Sequence, residues 1–282
     1  MKSALKLPLG TFLSKCSVII VALGLSGGVA FAAATASDTA SNYATPGWSS
    51  TPSNLGTGFG AWSITINNND GPPYAGTYLD TSDSVLDGGG HAWATYANNA
   101  TSLLTPSVSI VRPFTTGGGT ASLYNQTFSF DLSSAGVGPG QGLLEVQVGN
   151  AFTFEYNGTA SGDNMYFSDP TSGLITTPVD FSELGSGLLV SVSVSGALNS
   201  PSEGYTFTVS PYAGGSPLYT TSSTFDSSVY NTSSFTYLDS NTTGNGYFNG
   251  LNITPVTVPE PTTLALVGLS GLMTLLSIRR RK

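Results

Sequence analysis

Cysteine, histidine and positive charge are nearly missing from this chain. Its 282 residues include one cysteine, one histidine, and eight lysines and arginines against sixteen aspartates and glutamates. Charged residues make up 9%, where a usual chain has ~25%. A single cysteine, Cys16, rules out an intramolecular disulfide. Loss of the first 36 residues would leave no thiolate nucleophile and no cysteine-ligated metal. The lone histidine, His91, would have to serve any Ser–His–Asp triad or zinc site unaided. Its place ahead of Ala92 and Trp93 reads better as the start of a strand. A formal charge of −8 argues against a nucleic-acid partner. Glycine (35), serine (40) and threonine (35) are abundant instead, which excludes a coiled coil and an ordinary α/β enzyme. Fourteen Phe, thirteen Tyr and three Trp still supply the core material that disordered chains lack.

The few basic residues sit at the ends. Lys2, Lys6 and Lys15 open the chain, Arg279, Arg280, Arg281 and Lys282 close it, and only Arg112 lies between. Residues 37–258 hold fifteen acids and that one base. At the start, an apolar run over 16–29 is too short to span a bilayer comfortably. Small residues at 30, 32, 34 and 36 follow it, so residues 1–36 read as a secretory signal peptide handled by the Sec translocon. At the other end, Pro259, Glu260 and Pro261 precede the apolar segment 262–278. Its 17 residues can make a helix of roughly 25 Å, enough for a thin span. The basic tail behind it should stay cytoplasmic, leaving the body outside.

This three-part ending resembles the PEP-CTERM sorting signal of Gram-negative bacteria, with Pro259, Glu260 and Pro261 at the family's tripeptide. The resemblance covers residues 258–282 and implies recognition by an exosortase, a membrane cysteine protease. It further implies removal of the helix and passage from an inner-membrane intermediate to the cell surface or an extracellular polysaccharide matrix. A plain C-terminal anchor is the alternative, but it has no reason to carry the tripeptide.

The body, 37–257, reads as one all-β domain. Period-two alternation is clean in 188–195, where Leu188, Val190, Val192 and Val194 share one face and three serines the other. Phe128, Phe130 and Leu132 alternate likewise, as do Tyr205, Phe207 and Val209, and Trp62, Ile64 and Ile66. Seven further segments bring the count to eleven or more strands, separated by Gly-, Pro-, Asn- and Asp-rich turns. Without helical crossovers the pairing should be antiparallel. The expected fold is a two-sheet sandwich, jelly-roll or concanavalin-like; a propeller would show a fixed repeat, and none is visible. Segments 91–98, 111–114, 126–132 and 247–254 resemble those of secreted β-sandwich proteins that carry the same tail.

Three constellations could carry chemistry. If Val148 pairs with Phe152 across a three-residue loop, Glu145 lies opposite Glu155 outside the core. Such a pair can be a solvated surface pair, a contact for a metal or sugar, or the acid and nucleophile of a retaining glycosidase. Gln147 occupies the place where jelly-roll glucanases have their second acid, which weakens the last reading. Asp80, Asp83 and Asp87 form an oxygen-rich loop suited to Ca²⁺, or simply to turns. Arg112 shares a face with Val108 and Ile110, so it should lie half-buried or at a strand end and hold a structural ion pair with a carboxylate; ligand binding is the alternative.

These readings point to a secreted, non-enzymatic protein delivered by exosortase to the surface or to an exopolysaccharide, needing no cofactor beyond an optional Ca²⁺. A lectin-like carbohydrate-binding module is the rival class, and an extracellular glycosidase a more distant one. The membrane is met only through the C-terminal helix before processing.

Overall fold

Alternation of apolar and polar residues drives the strands. A computed structural model describes residues 36–256, apart from 44–47, 49–53, 69–73, 83, 87–89, 99–104, 115–121, 137–141, 159–162, 197–199, 241 and 243. The expected signal peptide up to residue 35, Asp83, Asp87, the tripeptide Pro259-Glu260-Pro261, the apolar segment 262–278 and the basic tail from Arg279 to Lys282 lie outside the described residues.

The chain opens with β1 (Ala36–Asp38), β2 (Ser63–Asn67), β3 (Ala75–Asp80), β4 (Ala92–Ala97) and β5 (Ser107–Pro113). Then come β6 (Gln126–Ala135), β7 (Leu143–Val148), β8 (Phe152–Asn157), β9 (Asn164–Asp169) and β10 (Gly173–Asp180). One short helix, α1 (Phe181–Ser186), leads into β11 (Leu188–Ser195), β12 (Glu203–Pro211), β13 (Tyr219–Phe225), β14 (Ser234–Ser240) and β15 (Asn245–Pro255). The first sheet runs β13–β12–β11–β6–β15–β4–β3, with β1 also beside β15; the second runs β10–β9–β8–β7–β14–β5–β2. Pairings between these strands are antiparallel, giving a two-sheet sandwich of the jelly-roll, concanavalin-like kind.

The inward faces meet through aromatic rings, which add about 0.5–1.5 kcal/mol per good pair beyond the area they bury. Phe207 of the first sheet lies 4.1 Å from Phe167 and 5.5 Å from Phe154 of the second. Phe235 lies 5.3 Å from Phe130 and 5.4 Å from Phe248. Trp48, Trp62 and Trp93 are all buried and pack on one another at 5.0–6.2 Å, so the three tryptophans serve the core.

Four strands lacked a sequence signal: β1, β3, β10 and β13. β3, β10 and β13 are sheet edges with one partner each, and β1 is only three residues long beside β15; β10 and β13 also bury little, which removes the need for alternation. Helix α1 was also unexpected. Its capping box is plain in hindsight: the Asp180 carboxylate accepts from Ser182 N at 2.7 Å, and Glu183 accepts from Asp180 N at 2.9 Å.

β15 is divided lengthwise. Asn245–Phe248 pair with β4, whereas Leu251, Asn252 and Ile253 pair with β1. The register against β6 shifts between Asn249 and Asn252, and Gly250 there takes a left-handed φ of 58°. The Asn249 side chain locks the break. It accepts from Ala40 N at 2.9 Å and donates to the carbonyls of Leu86 (3.2 Å) and His91 (2.9 Å). The His91 carbonyl is thereby held just ahead of β4.

Candidate functional site

Arg112 sits deeper than its sequence position suggests. It stands next to last in β5 and is fully buried rather than half-buried, because Asp38, Tyr43 and Asn54 close over it. Its Nη2 donates to Asp38 Oδ2 at 2.8 Å and to Asn54 Oδ1 at 2.7 Å, while Nη1 donates to the Tyr43 hydroxyl at 3.2 Å. The guanidinium carbon lies 4.3 Å from the Trp62 ring centroid, within cation–π range. Asp38 also accepts from Thr39 N, Asn42 Nδ2 and the Tyr43 hydroxyl, each at 2.8–2.9 Å. Trp62 Nε1 donates to that same hydroxyl at 2.9 Å. Burial raises the Asp38 carboxyl above its ordinary value, opposed by Asn42, Tyr43 and Arg112. The space around Asp38 depends on Gly56, whose Cβ, if present, would overlap the carboxylate. This cluster ties β1 to the second sheet, and its charges are spent internally.

Glu145 and Glu155 do stand directly opposite on β7 and β8, with Val148 facing Phe152 across the turn. They lie on the outer face of the second sheet, half-exposed, with Leu238 and Tyr166 as the flanking residues. Gln147 Nε2 donates to Glu145 Oε1 at 2.6 Å. Burial first, then the charge and hydrogen bond of Glu145, raise the Glu155 carboxyl. Glu155 therefore holds a proton more readily than an isolated acid, on the outer face of the sheet.

Asp80 is buried and its Oδ2 accepts from Ser84 N at 2.7 Å, so it holds the turn that follows β3. Among the described residues no three or more His, Cys, Asp or Glu side chains gather to hold a metal ion.

Three acids that the sequence reading passed over are unusual. Asp239 is fully buried on the core side of β14 and accepts from Thr95 Oγ1 at 2.8 Å and Thr242 Oγ1 at 2.7 Å. Burial pushes its carboxyl up to about 6 against those bonds. Glu203, at the start of β12, is fully buried with neither carboxyl oxygen in hydrogen-bonding geometry with a described residue. Burial raises it, only partly offset by the nearby Ser227. Both were legible: Asp239 continues the alternation of Phe235 and Tyr237, and Glu203 that of Tyr205 and Phe207. The third, Asp131, lies half-buried on the outer face of the first sheet, and burial alone pushes it up to about 7.

Residues 257–282 match the PEP-CTERM protein-sorting motif. The chain thus carries an exosortase sorting signal. No curated protein matches the chain. Among solved structures, it is similar to the catalytic domain of the glycoside hydrolase family 131 protein from Coprinopsis cinerea. Identity is 13%, over 71% of this chain and 85% of that one, with a TM-score of 0.45. The VIP36 exoplasmic/lumenal domain in its Ca²⁺/Man3GlcNAc-bound form is 9% identical over 71% of this chain and 89% of that one, with a TM-score of 0.43. The binding domain of Paraclostridial Mosquitocidal Protein 1 is 11% identical over 73% of this chain, with a TM-score of 0.39; the chain spans 47% of that protein. None of the three bears on what this chain binds or does.

Proposed function

We propose that this chain is a non-enzymatic secreted protein that exosortase delivers to the cell surface or to an extracellular polysaccharide matrix. The observation that carries the reading is the sorting motif at 257–282, with Pro259, Glu260 and Pro261 just ahead of an apolar segment and a basic tail. The β-sandwich body at 37–257 has no cysteine, so it can fold after export without an oxidising step. The non-enzymatic part of the reading rests on where the candidate groups stand. Arg112 is consumed by Asp38, and Gln147 engages Glu145 on an open face. The test is fractionation of a host that makes an exosortase, compared with the same host lacking it. The first should yield a shortened chain outside the inner membrane. The second should keep the full-length chain in the membrane fraction, and equal release from both would overturn the proposal.

A further inference from the structure

We infer that the outer face of the first sheet, across β15, β6, β11, β12 and β13, is a docking surface for a neutral polysaccharide chain. Strand register aligns the outward residues into rows. One row is Thr254, Thr127, Ser193, Thr206 and Ser222. The next is Asn252, Ser129, Ser191, Thr208 and Thr220. Their neighbours Phe128, Phe130, Val190, Val192 and Phe207 fill the core, so the rows point outward, and every member is half-exposed or exposed. Neighbouring strands stand about 4.8 Å apart, a spacing on the scale of one sugar ring.

The rows offer hydroxyl chemistry without charge. Thr127 Oγ1 and Ser193 Oγ lie 2.7 Å apart, and Thr206 Oγ1 and Ser222 Oγ 2.9 Å apart. In each pair one hydroxyl donates and the other keeps its own O–H for a ligand. At the head of the rows Asp131 stands in register between Leu189 and Asn249. Its carboxyl reaches over Gly250, where a Cβ would overlap it, and it makes no hydrogen bond to a described residue. Leu189 beside it is 40% exposed, an apolar contact for the C–H face of a sugar.

Charge selects the occupant. Residues 37–258 carry fifteen acids, and their one cation is buried, so a polyanion meets repulsion with no compensating contact. A polycation would seek the acids rather than rows of neutral hydroxyls. A neutral polyol matches the rows by hydrogen bonds, and two adjacent sugar hydroxyls can donate to the Asp131 carboxylate.

The inference deepens the matrix reading above and takes its biological setting from it. Its test uses the purified full chain in detergent, so mis-sorting in cells would sink that reading alone. Nondenaturing gels containing dextran, hydroxyethylcellulose or polygalacturonate measure retardation. A neutral polymer should slow the chain and polygalacturonate should not. The double variant Ser191→Glu, Thr206→Glu should weaken retardation at least tenfold. Thr153→Glu, on the second sheet's outer face, should leave it unchanged. Asp131→Ala breaks no hydrogen bond to a described residue, keeps the fold testable, and should weaken binding at least threefold. Retardation by neither neutral polymer would overturn the inference, as would retardation that both the double variant and Asp131→Ala leave unmoved.

Discussion

Removing the Arg112 side chain should be among the most damaging single changes in the body. Arg112→Ala deletes the bond to Asp38, the bonds to Asn54 and Tyr43, and the cation over Trp62. It leaves Asp38 buried without its cation. Breaking a pair of this kind costs roughly 3–5 kcal/mol, a large part of the ~5–15 kcal/mol that holds a domain folded. Arg112→Lys should recover only part, because one ammonium cannot replace both Nη2, which reaches Asp38 and Asn54, and Nη1, which reaches Tyr43. The loss should also depend on pH. Burial already raises the Asp38 carboxyl, and without Arg112 it rises further, so at pH 5 protonation relieves part of the damage seen at pH 7.5. Replacing both partners, Arg112→Met with Asp38→Leu, should be milder than Arg112→Ala alone. Urea unfolding with an unchanged m-value measures each step. A loss under about 1 kcal/mol for Arg112→Ala, the worth of an exposed pair, would refute the argument.

Acid should stabilise this protein over the range in which many proteins are indifferent. The Asp239 carboxyl titrates at about 6 when folded and near its ordinary 3.8 when unfolded, so the folded state holds the proton more tightly. That stabilisation is complete below pH 3.8 and fades as pH rises through 6, a swing of about 3 kcal/mol. Asp131, Glu203 and Glu155 shift the same way. Melting temperature should therefore rise from pH 7.5 to pH 5, and Asp239→Asn should flatten the rise; a flat wild-type profile would contradict the burial argument. Gly149→Ala should cost more than about 2 kcal/mol, since φ is +60° and the new Cβ would overlap the Asn231 carbonyl; chemical denaturation reads it directly. Glu145→Gln removes the charge beside Glu155 and should raise stability at pH 7.5 by about 0.2–1 kcal/mol, with no gain at pH 4.

What could be read from the sequence follows from burial. β6, β7, β8, β11 and β12 alternate cleanly because each has a core face and an outer face, and the Glu145–Glu155 register followed from that alternation. β13, with the sequence YTTSSTF, buries only Phe225 outright and so carried no pattern. The face of Arg112 was legible but its partner was not. Asp38 lies 74 residues away, in a strand of three residues, too short to show any alternation. The depth of Arg112 depends on that segment closing over it. Aspartates 131 and 239 look alike in sequence, and the neighbouring alternation separates them: Asp239 falls in with Phe235 and Tyr237, Asp131 between Phe130 and Leu132. The half-burial of Asp131 comes from Gly250 at the break in β15, a tertiary approach with no local trace.

The account turns on the tripeptide ahead of the apolar tail. In an exosortase-bearing host, Pro259, Glu260 and Pro261 should be replaced together by alanine and the chain followed by membrane fractionation and intact mass. The sorting reading predicts that the variant stays in the membrane at full length while the parent is shortened and released. Release of the variant at the parent's level and mass would contradict it.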